Sequence, residues 1–272
     1  MIFVVIAVIP TFIGVYFSFT DATTGLAGDF IGLENYFSIF SNETAFPALL
    51  RTVLLTLIVT ILQNMIGLAL ALALNSQIKS RHFLRVLFFL PFVLAPLVTG
   101  YIWQLMLAND GAINSVLRAA GLGEVAQSWL SQPTTAFLAI VIAMVWQYTG
   151  STMVIYLAGL QSVPHEVIEA AALDGASGFR MFWSVVRPFL APAITVNFTL
   201  TVIGGLRVYD QVVALTGGGP AGTTETISTL IVKYAFTFGE FGYGSALAVL
   251  LTIFVLFAAG LQYLGLRKQA QA

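Results

Sequence analysis

Polar residues interrupt this sequence at wide intervals and leave six apolar runs, at 2–19, 52–74, 83–107, 135–157, 189–206 and 245–266. The hydrocarbon layer of a bilayer is about 30 Å thick and takes about 20 helical residues to cross, so each run has the length of a span. Lipid offers the backbone no water, and a segment of this length satisfies its own N–H and C=O groups as a helix. The pattern predicts an all-α polytopic membrane protein with six transmembrane helices, residues 1–272 forming one transmembrane domain. The runs at 52–74, 135–157 and 245–266 are the cleanest. The first starts at Met1 without a basic stretch ahead of it, which argues against a secretory signal. The fifth fades into Arg207 and Asp210 instead of stopping at a turn. Pro91 and Pro96 each remove a backbone donor from the third run and should kink it. Such kinks survive in lipid only where neighbours or a water-lined cavity satisfy the freed carbonyls, which favours a bundle around a path over a simple anchor.

Composition and charge add an orientation. Hydrophobic residues make up 58% of the chain and charged residues 8%, against about 25% charged in a soluble domain. Lys79, Arg81, Arg85, Arg180, Arg187, Arg267 and Lys268 are seven of the eleven Lys and Arg. They fall in the connections after the second and fourth runs and in the C-terminal tail, and short cytoplasmic loops collect such residues. Both termini and residues 162–188 are therefore expected in the cytoplasm, with 20–51, 108–134 and 207–244 as outer loops. A net charge of −1 gives no electrostatic case for nucleic acid. The absence of cysteine removes disulfides, thiolate catalysis and cysteine-held metals. His82 and His165 are the only histidines and read as loop residues, so neither a metal site nor a catalytic residue is expected.

One stretch, SVPHEVIEAAALDGASGFRMFWSVVRPFLAP at 162–192, sets Glu166, Glu169, Asp174, Arg180 and Arg187 between two apolar runs. At mid-bilayer each charge would cost about 2.5–3.5 kcal/mol, so the stretch must be a loop. It reads as two helices. Ser162 is placed to cap the first, Pro164 suits its early turn, and Glu166 favours its positive end. Ala170, Ala171, Ala172 and Leu173 propagate it, and Gly175 supplies a left-handed stop. Ser177 is placed to cap a second helix over 179–187 that Pro188 closes. Alanines beside a glycine make a slim helix that a partner surface can approach closely, and Glu166 and Glu169 share one edge. That shape suits a plug for a groove on a cytosolic partner, and it equally suits a solvated connector.

EAAALDGA at 169–176, followed by VVRPFLAP at 185–192, resembles the EAA loop of bacterial ABC importer permeases. FTD at 19–21, GLENY at 32–36, FFLPFVLAP at 88–96, LAGLQSVP at 157–164 and LTGGGP at 215–220 are similar to the sugar-importer branch of that family, the one containing the first membrane subunit of maltose and glycerol-3-phosphate importers. The likeness covers almost the whole chain. Arg187 departs from it, since the family usually has leucine before the proline. The resemblance implies a subunit of the bacterial plasma membrane that imports a sugar or related polar solute. It would work with a second permease of a different chain, two copies of an ATPase subunit and an extracellular binding protein. Glu166, Glu169, Ala170, Ala171, Asp174 and Gly175 would couple the ATPase to the spans. The sequence has no G-x-x-x-x-G-K-[ST] and so no phosphate-cradling loop of its own; ATP and magnesium would sit on the partner. Gly217, Gly218 and Gly219 precede Pro220 and read as a turn.

A polar solute needs hydrogen-bond partners inside the spans, and uncharged groups provide them without the penalty of a buried ion. Trp146, Gln147, Tyr148 and Ser151 in the fourth run, with Asn197 and Thr201 in the fifth, are the candidates. Amides would meet sugar hydroxyls, and the Tyr148 ring would stack on a sugar's apolar face. The same residues also read as glue between helices, at about 0.6 kcal/mol per hydrogen bond. Gly67, Gly100, Gly204 and Gly205 read as close-packing positions, and 226–238 as either a helix lying on the membrane surface or a packed loop helix. An ion-coupled transporter predicts ionisable groups at mid-span, which the six runs lack at their centres. A passive channel gives no reason for the acidic, alanine-rich loop.

Overall fold

The computed structural model describes residues 6, 8–23, 28–76 and 78–267. Regular structure among them is helical, apart from one isolated antiparallel bridge between Thr20 and Phe30. Two long helices, α3 (Ala45–Asn75) and α7 (Pro133–Gln161), form the centre of the bundle. Small residues let them approach: a Cβ on Gly67 would lie 2.6 Å from the Thr152 side chain. The helix Gly178–Leu206 and α13 (Phe241–Arg267) complete a set of four that are long and apolar enough to cross a membrane. A short α1 (Ile9–Phe17) packs on α13. The first residues of the run at 2–19 lie outside the described residues, as does Lys268.

The third run is not one kinked helix. It divides into α4 (Arg81–Val93) and α5 (Pro96–Leu107), and α4 makes a bend of 98° with the limb Pro96–Ala119 that α5 begins. Pro91 stays inside α4; the break is at Leu94 and Ala95, both extended. The ring of Pro96 disfavours helical geometry at the preceding residue, so Pro96 starts a new helix instead of bending an old one.

The second run begins earlier than its apolar residues suggest. Asn42 Oδ1 accepts from the N–H groups of Thr44 (2.8 Å) and Ala45 (2.9 Å), which starts α3 at the end of α2 (Glu34–Ser41). Arg51, expected in an outer loop, is thereby on a helix, where it donates to the carbonyls of Pro47 and Gly222.

Residues 207–244, expected as an outer loop, hold packed helices. The chain turns back into the bundle as α11 (Asp210–Thr216), which packs on α5 and touches α7. Val212 and Leu215 are buried there with Leu55, Val59 and Val141, and a Cβ on Gly100 would lie 2.5 Å from Ala214. The glycine-rich stretch is a turn: Gly217 (φ 59°) and Gly218 (φ 84°) are left-handed, a region open to glycine without cost. The Glu225 carboxylate is buried beneath Gly218 and pairs with Lys233 at 3.1 Å. Next, α12 (Ile227–Val232) buries Ile227 and Leu230 against Tyr243, Ala246 and Leu247. Thr226 caps it, and the Ile227 N–H donates to Thr52 Oγ1 at 3.0 Å. This is a packed helix.

Pro188 does not close a loop helix. After α6 (Ala112–Ala119), α8 (His165–Leu173) and α9 (Gly178–Met181), the chain makes a wide π turn over Phe182–Val186 and runs on as α10 (Arg187–Leu206). The turn closes from the Arg187 N–H to the Phe182 carbonyl. Its wider ring lets the helix pass Pro188, which has no N–H to give.

Candidate functional site

A cavity of about 530 Å³ lies between α3, α7, α10 and α11, with Phe89 and Phe92 of α4 along its apolar side. Its polar groups include Gln63, Tyr148, Ser151, Asn197, Thr201 and Asp210. Most are tied to neighbours. Gln63 Nε2 donates to Thr152 Oγ1 at 2.7 Å, and Asn197 Nδ2 donates to the Thr152 carbonyl at 3.2 Å. Asn64 Nδ2 donates to Thr201 Oγ1 at 3.2 Å, while the Tyr156 hydroxyl donates to Asn64 Oδ1 at 2.6 Å. These bonds link α3, α7 and α10 at one level.

Of the candidates drawn from the sequence, Tyr148, Ser151, Asn197 and Thr201 line this cavity. Trp146 does not; it packs edge-on against Trp103 with ring centroids 5.8 Å apart. Gln147 does not line it either. It is fully buried, and its Nε2 donates to the Leu94 carbonyl at 2.9 Å. That carbonyl is freed by the break between α4 and α5, so Gln147 supplies the neighbouring donor that a broken membrane helix requires. Its Oε1 accepts from Gln211 Nε2 at 3.0 Å, and the same nitrogen donates to the Tyr148 hydroxyl at 2.8 Å. Gly67, Gly100 and Gly205 are close-packing positions, with Cβ clearances of 2.6, 2.5 and 2.9 Å. Gly204 is not, since nothing lies within 4 Å of its Cβ and it lines the cavity.

The sequence reading missed Gln63, Asn64, Asp210 and Gln211. Two adjacent amides in an otherwise apolar run were a usable signal for the first pair. No local signal shows that 210–216 folds back beside the middle of α7. Replacing Gln147 with leucine strands both the Leu94 carbonyl and the Gln211 amide. At about 1–3 kcal/mol for each buried group left unpaired, the variant is expected to lose about 2–6 kcal/mol of stability. Thermal unfolding of the purified chain, followed by tryptophan fluorescence, measures this.

The second candidate region joins α7 to α9. Ser162 does not cap α8; its Oγ donates back to the Gly159 carbonyl at 2.8 Å and finishes α7, leaving Pro164 at the start of α8. Ser177 precedes α9 in extended geometry but makes no side-chain cap. Gly175 does end α8, at φ 80°. Its N–H donates to the Ala172 carbonyl (3.0 Å) and the Ala176 N–H to the Ala171 carbonyl (2.9 Å), the paired bonds of a left-handed helix stop. Val167, Ile168 and Ala171 are partly covered, whereas Glu166, Glu169, Ala170, Asp174 and Gly175 are exposed. Leu173 is 90% and Phe179 79% exposed. Among the described residues none of the three acids is in an ion pair. Arg187, the departure from leucine, lays its guanidinium over the Trp183 ring at 4.9 Å. Among the described residues no group of three or more His, Asp and Glu is placed to hold a metal ion.

Residues 63–269 match the family model described as binding-protein-dependent transport system inner membrane component. The chain is 36% identical over 255 residues to the multiple sugar-binding transport system permease protein MsmF of Streptococcus mutans, covering 93% of this chain and 87% of that one. It is 36% identical over 258 residues to the trehalose/maltose transport system permease protein MalF of Thermococcus litoralis, covering 94% and 85%. Among solved structures, a chain of a bacterial alginate ABC transporter in complex with its alginate pentasaccharide-bound periplasmic protein shares the fold. The TM-score is 0.85 at 19% identity, over 100% of this chain and 92% of that one.

Proposed function

Since the chain belongs to the family of binding-protein-dependent transport system inner membrane components, we propose that its cavity is part of the path for a sugar or related polar solute. The protein is a permease subunit of an ABC importer. A solute arrives on an extracellular binding protein, and a second permease of a different chain forms the other half of the path. Two copies of an ATPase subunit bind ATP and magnesium and seat the 162–188 loop, with Glu166, Glu169, Ala170, Ala171, Asp174 and Gly175 at the contact. The loop and both chain ends are cytoplasmic, as the Lys and Arg distribution indicates. Closure of the ATPase pair then rocks the spans between outward- and inward-open states. This chain contributes no catalytic step.

The observation that carries the reading is the cavity itself. A bundle whose spans are otherwise apolar surrounds about 530 Å³ lined by amide, hydroxyl and phenol groups from four of its helices. Burying so many polar groups costs stability unless they serve a polar occupant or one another. An ion-coupled carrier or a passive channel would also need a path, yet neither gives a role to an exposed loop with unpaired acids beside Leu173 and Phe179.

Tryptophan at Gly204 tests this directly. Gly204 lines the cavity and nothing lies within 4 Å of its Cβ position, so an indole there starts from open space and takes up room in the path. Solute uptake by the complete complex is expected to be lost, while membrane insertion and retention of the ATPase subunit are unchanged; Gly204→Ala should transport. Uptake at the parental rate by the tryptophan variant would mean that the path runs elsewhere.

A further inference from the structure

We propose that Asp210 makes the cavity selective for a neutral, polyhydroxylated solute by accepting hydrogen bonds from a pair of its hydroxyls. This rests on the cavity being the solute path. Asp210 enters from a segment that the sequence pattern assigns to an outer loop, and α11 carries it to the middle of the bundle. Its neighbour Gln211 bonds to Gln147 and Tyr148, halfway along α7 (Pro133–Gln161). An ionisable residue at that depth is costly and is kept where it has a task.

Among the residues that line the cavity only Arg207 and Asp210 carry charge. Among the described residues neither side chain takes part in an ion pair or a hydrogen bond. Arg207 is exposed, whereas Asp210 is half-buried. The neighbouring polar groups are largely spent on one another. Gln63 and Asn197 each give an amide hydrogen to Thr152, and Ser151 Oγ donates to the Tyr148 carbonyl at 2.8 Å. Asp210 and Tyr148 keep capacity for a guest. The Asp210 carboxylate has acceptor sites on both oxygens, and the Tyr148 hydroxyl, which accepts from Gln211, retains its own proton to donate.

An acceptor that binds two donors at once, beside the Tyr148 hydroxyl and the rings of Phe89 and Phe92, fits adjacent sugar hydroxyls and the C–H face behind them. A carboxylated sugar would bring like charge toward Asp210 in a half-desolvated site, where repulsion is poorly screened.

The chain has no cysteine, so Ser151→Cys places a single thiol in the cavity of the full-length protein. In lipid nanodiscs, the rate of its modification by methyl methanethiosulfonate would be followed. Increasing amounts of a mixture of maltose, trehalose, sucrose, lactose and raffinose, or of oligogalacturonates of the same lengths, would be added. The neutral sugars are expected to slow the reaction. Asp210→Asn should raise the concentration that gives half protection by roughly tenfold, the difference between charge-assisted and neutral hydrogen bonds, and should let oligogalacturonates protect better than in the parent. A purely structural role would weaken both kinds of protection together. Asp210→Thr, which keeps an acceptor without the charge, should repeat the result, and unchanged labelling without sugar shows that a variant has kept the parental cavity. Undiminished protection by neutral sugars in both variants would overturn the role of Asp210 and leave the solute path standing. No protection by neutral sugars in the parent would overturn both.

Discussion

Valine at Gly175 is expected to abolish ATP-driven uptake while the chain still inserts and folds. Gly175 ends α8 at φ 80°, a left-handed geometry that costs an L-residue about 1–2 kcal/mol and suits a β-branched one worst of all. The cause is the backbone alone, because nothing lies within 4 Å of the Cβ position. To relieve the strain the chain gives up the bonds to the Ala171 and Ala172 carbonyls. The last turn of α8 then loosens and the exposed edge of Glu169 and Ala170 shifts. The spans, which share no contact with that glycine, are left alone. Glu169→Lys approaches the same contact by a different route, reversing charge on the exposed edge without touching the backbone. Uptake of labelled solute and binding-protein-stimulated ATPase activity of the whole complex are the measurements, with membrane insertion followed in parallel. Normal transport by both variants would defeat the coupling role.

The loop is suited to move the cavity because both of its ends are cavity walls. α7 carries Tyr148 and Ser151 and passes directly into the loop at Ser162, while the helix leaving the loop at Gly178 runs unbroken to Asn197 and Thr201. A displacement at α8 therefore reaches the polar lining through two stiff helices. The π turn over Phe182–Val186, with Arg187 stacked on Trp183, is the one wide turn on the second of them.

What the sequence disclosed follows the range over which its signals act. Apolar runs report span existence reliably because burial in lipid is decided residue by residue, and α3, α7 and α13 follow from them. Boundaries were less legible, since Asn42 starts α3 through its own side-chain oxygen and the π turn carries a helix past Pro188. The larger miss was 207–244. Lying between two apolar runs it read as an outer loop, yet Glu225 is buried and paired with Lys233 and Val212 and Leu215 are core residues. No periodicity in the segment distinguishes the two, because its place depends on contacts with α3, α5 and α7 far away in the chain. For the cavity, polar type was readable and direction was not. Gln147 and Ser151 are one turn apart on α7, but the longer side chain turns to the broken helix and the shorter one to the cavity. Gly150, beside them, was also passed over, although its packing is among the tightest of any glycine here.

Leucine at Gly150 is expected to cost about 2–6 kcal/mol. A Cβ at that position would stand 2.2 Å from the Phe88 carbonyl oxygen and 2.7 Å from the Phe89 Cα, so the obstacle is the backbone of α4. Side chains can rotate away from an intruder; a helix must move as a body, and overpacking of this kind costs about 1–3 kcal/mol. Moving α4 away from α7 also draws the Leu94 carbonyl from Gln147, which sits three residues before Gly150 on α7, adding about 1–3 kcal/mol for the stranded pair. The same substitution at Gly204 is the control, because it adds as much volume to a helix but into open space. Thermal unfolding in one detergent should show a large drop for Gly150→Leu and almost none for Gly204→Leu. Equal stabilities would mean that α4 and α7 do not meet backbone to backbone, and that the break at Leu94 is not held by α7.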